Sequence, residues 1–348
     1  MGTLWFWIVV ATLAAYIVLD GFDLGVGIIF PFVAETEEEK RQALQAIGPV
    51  WDGNEVWLLA TAGTMFFAFP LLYASSFSGF YMPLTIVLWL FIWRGLAIEL
   101  RGHVQDALWR SFWDKSFTFA SSLLAIFFGA ALANVIRGVP IGPDNYFYLP
   151  LWTNWRTGTH PGILDWYTVL GGVMALIALA IHGSLYLAYK TEHDLFRRSN
   201  QIANRLIFPI ALSAVICIPA TVIARPNSLA NYTSHPISFL APIAVLLSLV
   251  LMFRFGRKGQ ALKAFLASCI FLTAMICGAA AGLFPVLLPS SIEASGDITI
   301  DKALAGPHGL HVGLAWWSFG TMLALTYFGI VYWLFRGKVS AYADTYGH

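Results

Sequence analysis

Long, nearly unbroken apolar stretches separated by short polar segments set the rhythm of this chain. The hydrophobic residues do not alternate with polar ones at the period of two that marks a half-buried strand. A helix needs about 20 mostly apolar residues to cross the hydrocarbon core of a bilayer. Nine stretches qualify: 4–33, 53–74, 78–100, 115–136, 165–189, 203–224, 237–254, 262–287 and 311–335. The pattern predicts an all-α polytopic membrane protein with nine transmembrane helices. Composition agrees, because 58% of the residues are hydrophobic and 11% charged, against about 25% charged in an average soluble domain. The apolar start, Met1 to Leu19, has no basic region and no small-residue cleavage site, so it is expected to be a retained helix.

Charge sets the expected orientation. With the N-terminus outside, one side holds Lys40 and Arg41; Arg101, Arg110 and Lys115; Lys190, Arg197, Arg198 and Arg205; Arg254, Arg257, Lys258 and Lys263; and Arg336 and Lys338. The other side holds Arg137, Arg156, Arg225 and Lys302. Fifteen against four is a strong positive-inside bias. It requires all nine crossings and leaves the C-terminus cytoplasmic. Trp5, Trp7, Trp152, Trp155 and Trp316 fall at expected outer ends, where amphipathic rings anchor spans. The net charge of +1 points to no nucleic-acid partner. The longest connection, rich in Gly, Pro and aromatics, separates four helices from five. The expected organisation is a first four-helix membrane bundle (1–136), an extracytoplasmic loop (137–164) that caps the bundle or meets a partner, and a second bundle (165–348) with a peripheral ninth helix.

Ionisable residues inside spans carry the functional signal, since each costs at least about 2.5–3.5 kcal/mol at mid-helix. Asp20 and Asp23 lie in LDGFDLGVG (19–27), beside a Gly21/Gly25 step that permits close helix contact. They read either as neutral carboxyls in a packing motif or as charge partners and proton carriers. Arg94, in FIWRG (91–95), does not shed its charge and needs an acceptor. Asp23 and Arg94 lie about 15 Å and 10 Å from the inner ends of their helices, so an Asp23–Arg94 pair is expected. In GPVWDGNEVWL (48–58), Asp52 and Glu55 share a helix face. Asp52 reads as an N-terminal cap, as the mouth of a proton path, or as both. Glu99 and Arg101 mark an interface.

Of the eight histidines, only His182 lies well inside a span; His308 and His311 begin the last one, and His103, His160, His193, His235 and His348 are in loops or termini. Haem ligation usually draws axial His or Met from facing helices, so His182 reads as a hydrogen-bonded interior residue. Cys217, Cys269 and Cys277 lie in apolar runs without CxxC spacing, which supports neither a disulfide framework nor a metal site. No dinucleotide or phosphate-loop motif is present.

LDGFDLGVG (19–27), GPVWDGNEVWL (48–58), SSFSGFY (75–81) and AGLFPVLLPSS (281–291) resemble subunit II of cytochrome bd-type quinol oxidases, over essentially the whole chain. The resemblance implies a respiratory complex of the bacterial inner (cytoplasmic) membrane that oxidises quinol and reduces O2 to water. It implies that haems b558, b595 and d, and the quinol-binding loop, belong to a haem-bearing subunit I. It also brings in lipid, a structural quinone and a small single-helix accessory subunit as companions found in some members. Asp23, Asp52 and Arg94 match family positions tied to assembly or proton delivery, and Asp20 shares their motif. Trp57 is similar to a residue beside an oxygen route. Glu55 departs from the better-known branch, which has glutamine there, and leaves the detailed proton route open. Two other readings stand beside this one. A proton-coupled secondary transporter would bind substrate at buried Asp and Arg. A self-sufficient haem or quinone protein would need more than one buried histidine.

Overall fold

The computed structural model describes residues 1–339; residues 340–348, with His348 and the chain's end, lie outside it. The helices are α1 (Gly2–Val33), α2 (Glu37–Ile47), α3 (Trp51–Ala68), α4 (Pro70–Gly79), α5 (Tyr81–Leu100), α6 (Ala107–Arg137) and α7 (Trp166–Lys190). They continue with α8 (His193–Ala224), α9 (Ala230–Ser234), α10 (Leu240–Arg257), α11 (Ala261–Leu283), α12 (Ile300–Ala303) and α13 (Pro307–Leu334). A short antiparallel pair, β1 (Val286–Leu288) with β2 (Ile298–Thr299), follows α11. Among the described residues, eight helices are long and apolar enough to span: α1, α5, α6, α7, α8, α10 with its preceding 3-10 turn, α11 and α13.

The expected second span, 53–74, is not one helix. It divides at Phe69–Pro70 into α3, of 18 residues, and α4, of 10. Proline disfavours helical backbone in the residue before it, and Phe69 takes φ −133° and ψ 64°. Pro70 then opens α4, at a position where no intrahelical N–H is needed. The polar first turns of α3, with Asp52, Asn54 and Glu55, keep it outside the set of apolar spanning helices. Other boundaries move as well. α8 begins at His193, before residue 203, because Leu195, Ser199, Ala203 and Ile207 form one buried stripe through its polar lead-in. α11 ends at Leu283, just ahead of Phe284 and Pro285.

α1 lies at the centre and packs against α3, α6, α7 and α11, helices from both sides of the long loop. Its side chains are buried without interruption from Asp20 to Phe30. Close approach to α7 depends on Gly25 and Gly183. A Cβ on Gly25 would press into the backbone at Leu179 and Gly183, and one on Gly183 into the backbone at Gly25 and Val26. Such small-residue contacts bring helices together where lipid offers no hydrophobic drive. The outer surface carries Leu59, Trp89, Phe208, Leu246 and Trp316, all exposed, as a lipid-facing surface does. α13 is the most exposed of the long helices, with only Leu310 buried.

Two polar clamps close the ends of this bundle. At one end Arg137 pairs with Asp165, donates to Asn134 Oδ1 at 2.6 Å and reaches the Gly162 carbonyl at 3.2 Å. The long loop therefore leaves and returns at one point. It also pairs with the segment after α11, through Val139 N–H to Pro289 O at 3.0 Å and Ser291 N–H to Val139 O at 2.8 Å. At the other end α2 is fixed by a Thr36/Glu39 capping box. Arg101 bonds Asp114 at 2.5 Å and Glu37 at 2.9 Å, and Lys40 reaches Asp114 at 3.1 Å.

Burial opposes ionisation of Glu37, but bonds from Arg101 and Lys40 outweigh it and hold its carboxyl below the ordinary range. Burial likewise opposes the charge on Lys40, and Asp114 and Glu37 outweigh it and raise its pKa. A depressed carboxyl contributes stability that is present above its unfolded pKa and lost as pH falls through the folded one. A raised lysine contributes stability that is lost as pH rises through the folded value. The melting temperature should therefore gain nothing from these groups' titration between about pH 5 and 10, and fall below about pH 4. Glu37→Gln should flatten part of the acid limb in thermal unfolding measured against pH.

Gly25→Ala should lower the melting temperature of the purified protein, with an overpacking cost of about 1–3 kcal/mol. Gly102→Ala, whose added Cβ would meet nothing within 4 Å, should leave it nearly unchanged. Equal melting temperatures for the two variants would remove the α1–α7 contact from the account.

Candidate functional site

Arg94 is fully buried on α5. Its Nη2 lies 2.5 Å from Asp20 Oδ1 on α1 and 2.6 Å from Glu55 Oε1 on α3. One guanidinium thus ties three helices together. Asp20 is also fully buried, whereas the Glu55 side chain is 26% exposed, so the trio runs from the interior toward the surface. A guanidinium taken out of water needs such partners, because an uncompensated buried charge is severely unfavourable. The expected Asp23–Arg94 pair is not formed. Asp20, three residues earlier on α1, takes the guanidinium instead, and Asp23 accepts from Asn54 Nδ2 at 2.7 Å. Matching depths along two helices is only half of pairing. Rotation about the helix axis decides which of two neighbouring carboxyls faces the cation.

Asn54 is the residue that sequence reasoning passed over. Its amide also donates to the Leu19 carbonyl at 3.1 Å, and its oxygen accepts from Tyr332 on α13 at 2.9 Å. A continuous polar line therefore runs Asp23–Asn54–Tyr332 across α1, α3 and α13. Asn54 could have been found from its place between Asp52 and Glu55, as an amide within the same charged turns. Tyr332 carried no comparable signal in a long aromatic run.

The remaining expected residues separate. Asp52 is exposed in the first turn of α3 and is not its cap; Val50 holds that position without a side-chain bond. Trp57 stacks obliquely on Phe328 of α13, ring centres 5.6 Å apart. It lines an apolar groove of about 710 Å³ between α3 and α13, with Trp5, Phe67 and Gly313. Glu99 is exposed, and Arg101 belongs to the α2 clamp. His182 is fully buried, its Nδ1 2.7 Å from Ser268 Oγ and its Nε2 2.8 Å from the Val18 carbonyl.

Comparison with known proteins decides the family. The model of cytochrome bd terminal oxidase subunit II matches residues 1–335. The chain belongs to that family. It is 30% identical to cytochrome bd ubiquinol oxidase subunit 2 of Bacillus subtilis, over 97% of this chain and 96% of the relative. It is 27% identical to cytochrome bd-I ubiquinol oxidase subunit 2 of Escherichia coli, over 97% and 94%. Its fold is similar to a chain of the bd oxidase from Geobacillus thermodenitrificans, with a TM-score of 0.75 at 16% identity, covering 96% of this chain and 98% of that one. As a bd oxidase subunit II, the chain is part of a respiratory quinol oxidase of the bacterial inner membrane, an oxidoreductase whose complex carries haem and includes a subunit I.

His182 of this bd oxidase subunit is not placed to serve as a haem ligand. An axial ligand needs a free imidazole nitrogen or a thioether aimed at a facing ligand. Both nitrogens of His182, its one histidine deep in a span, are already bonded to protein. Among the described residues no group of three or more His, Cys, Asp or Glu could hold a metal ion.

Arg94→Met should destabilise the assembled oxidase by about 3–5 kcal/mol, because Asp20 and Glu55 lose their cation. Asp20→Asn should approach that cost. Asp23→Asn should be milder, since the Asn54 amide bonds an amide oxygen as well as a carboxylate. Thermal unfolding and subunit recovery of the three variants check the order. An Asp23→Asn more damaging than Asp20→Asn would contradict the geometry.

Proposed function

We propose that this chain is the non-haem subunit II of a bd-type terminal oxidase, supporting assembly of subunit I and delivering protons and O2 to it. Haems b558, b595 and d are then held by subunit I, where they pass electrons from quinol to O2. The observation that carries the reading is the buried chain of ionisable and polar groups Glu55–Arg94–Asp20 beside Asp23–Asn54–Tyr332. Reducing O2 to two waters takes four protons, and these need a route through the membrane protein. Asp52, exposed one turn before Glu55, stands at the mouth of that route. Asp20 Oδ2, Asp23 Oδ1 and Arg94 Nε and Nη1 have no protein partner. Buried polar atoms of this kind are where ordered water sits and where protons hop. The groove beside Trp57 is apolar, as an O2 path requires, and it opens between α3 and the exposed α13.

The same reading supplies the topology. α3, with polar first turns and an apolar remainder, makes the ninth crossing beside the eight apolar helices. The N-terminus then lies outside and the basic residues inside, and the chain order divides into bundles at 1–136 and 165–348. A proton-coupled transporter also places buried Asp and Arg at a midplane site, but family membership favours the oxidase.

Asp52→Asn should lower quinol-driven O2 uptake while leaving assembly and haem content intact. Haem spectra and O2 uptake measured on the same preparation separate the outcomes. Full turnover would reduce Asp52 to a surface acid, and joint loss of haem and turnover would make it an assembly residue. Purified alone, the chain should show no Soret absorbance, while the complex shows b- and d-type bands. Stoichiometric haem on the isolated folded chain would overturn the assignment of haem to subunit I.

A further inference from the structure

A second cleft, of about 590 Å³, opens away from the charged site, between the end of α1, the middle of α7 and the first turns of α8. Its walls are aliphatic, with Ile29 and Ala180 buried at the floor and Ile177 and Leu206 half-buried at the sides. Its rim is polar and comes from one face of α8. Arg198, Gln201 and Arg205 recur at the i, i+3, i+7 spacing that aligns side chains on a helix.

The two arginines differ. Arg198 is neutralised within the protein: its Nε donates to the Val33 carbonyl at 2.7 Å, and its Nη atoms meet Glu35 at 3.4 Å and Glu39. Arg205 is exposed, and among the described residues it makes no hydrogen bond or ion pair; Gln201 beside it makes none either. Arg205 also stands where the polar lead-in of α8 gives way to the apolar run 206–224, the level at which a span enters the headgroup layer. That end of α8 is the basic-rich side of the protein.

We propose that this cleft binds one anionic phospholipid of the basic-rich leaflet, a single-phosphate lipid of the phosphatidylglycerol type. Its phosphate pairs with the Arg205 fork and accepts from Gln201, and one acyl chain lies along Ile177 and Leu206. A guanidinium matches a phosphate through two parallel N–H bonds, and basic pockets between transmembrane helices recognise anionic headgroups in this way. With Arg198 already paired to two carboxylates, the rim has, among the described residues, one free cation and suits one phosphate, not the two of cardiolipin.

The test is native mass spectrometry of the purified two-subunit oxidase, stripped of lipid and titrated with phosphatidylglycerol. Phosphatidylethanolamine, phosphatidylcholine and cardiolipin serve as parallel arms. The intact complex should take up one phosphatidylglycerol in preference to the zwitterionic lipids. R205Q should weaken that binding about tenfold, and Ile177→Trp, which fills the cleft, should weaken it independently of charge. R197Q, which changes an exposed arginine paired with Asp194 at 2.8 Å, should bind as the unmodified complex does. Equal binding by R205Q, equal uptake of zwitterionic lipids, a preference for cardiolipin, or no retained lipid would each overturn the proposal.

Discussion

An arginine that cannot shed its proton has been buried away from bulk solvent, and much of the structure answers that constraint. Arg94 is held by Asp20 and Glu55, which come from helices distant in sequence. Moving α1, α3 or α5 out of register would strand at least one of these charges. The attraction between the partners need not exceed the cost of burying them for the arrangement to be specific. What matters is that every alternative arrangement leaves a buried charge without a partner, which costs more still.

The rest of the bundle lets these helices come close enough to meet. Gly25 on α1 and Gly183 on α7 bring two backbones into contact at the level of the charged turns. α3 is polar in its first turns and mostly apolar beyond Trp57, so it supplies Asn54 from a buried position and Glu55 from a partly exposed one. α13 is nearly bare on its outer side. It is joined to the core by Tyr332 on Asn54 and by Phe328 on Trp57, close to the charged site. Clamps at either end, Arg137 with Asp165 and Arg101 with Asp114 and Glu37, keep the long loop and α2 in place without intruding on the interior. This division of labour keeps polarity in the interior and leaves the lipid-facing surface apolar.

Nearly all the long helices were legible from hydrophobic runs alone, because a bilayer demands a length of apolar chain that few other environments require. Composition likewise made a soluble fold untenable, and the charges Asp20, Asp23, Glu55 and Arg94 were visible as costly exceptions within those runs. The break at Phe69–Pro70 was legible in principle, through the constraint proline places on the residue before it, but the surrounding apolar run concealed it. Partner choice was a different matter. Which of Asp20 and Asp23 meets Arg94 depends on the rotation of α1 about its axis, and that rotation is fixed by packing against α3, α6, α7 and α11 together. Asn54's link to Tyr332 joins residues 278 positions apart. Such a contact has no local signature, because nothing in the residues near either one encodes the other. The sequence by itself determined where charge would have to be buried; only the packing of the helices decided which groups would neutralise it, since hydrogen bonds need direction and proximity as well as depth.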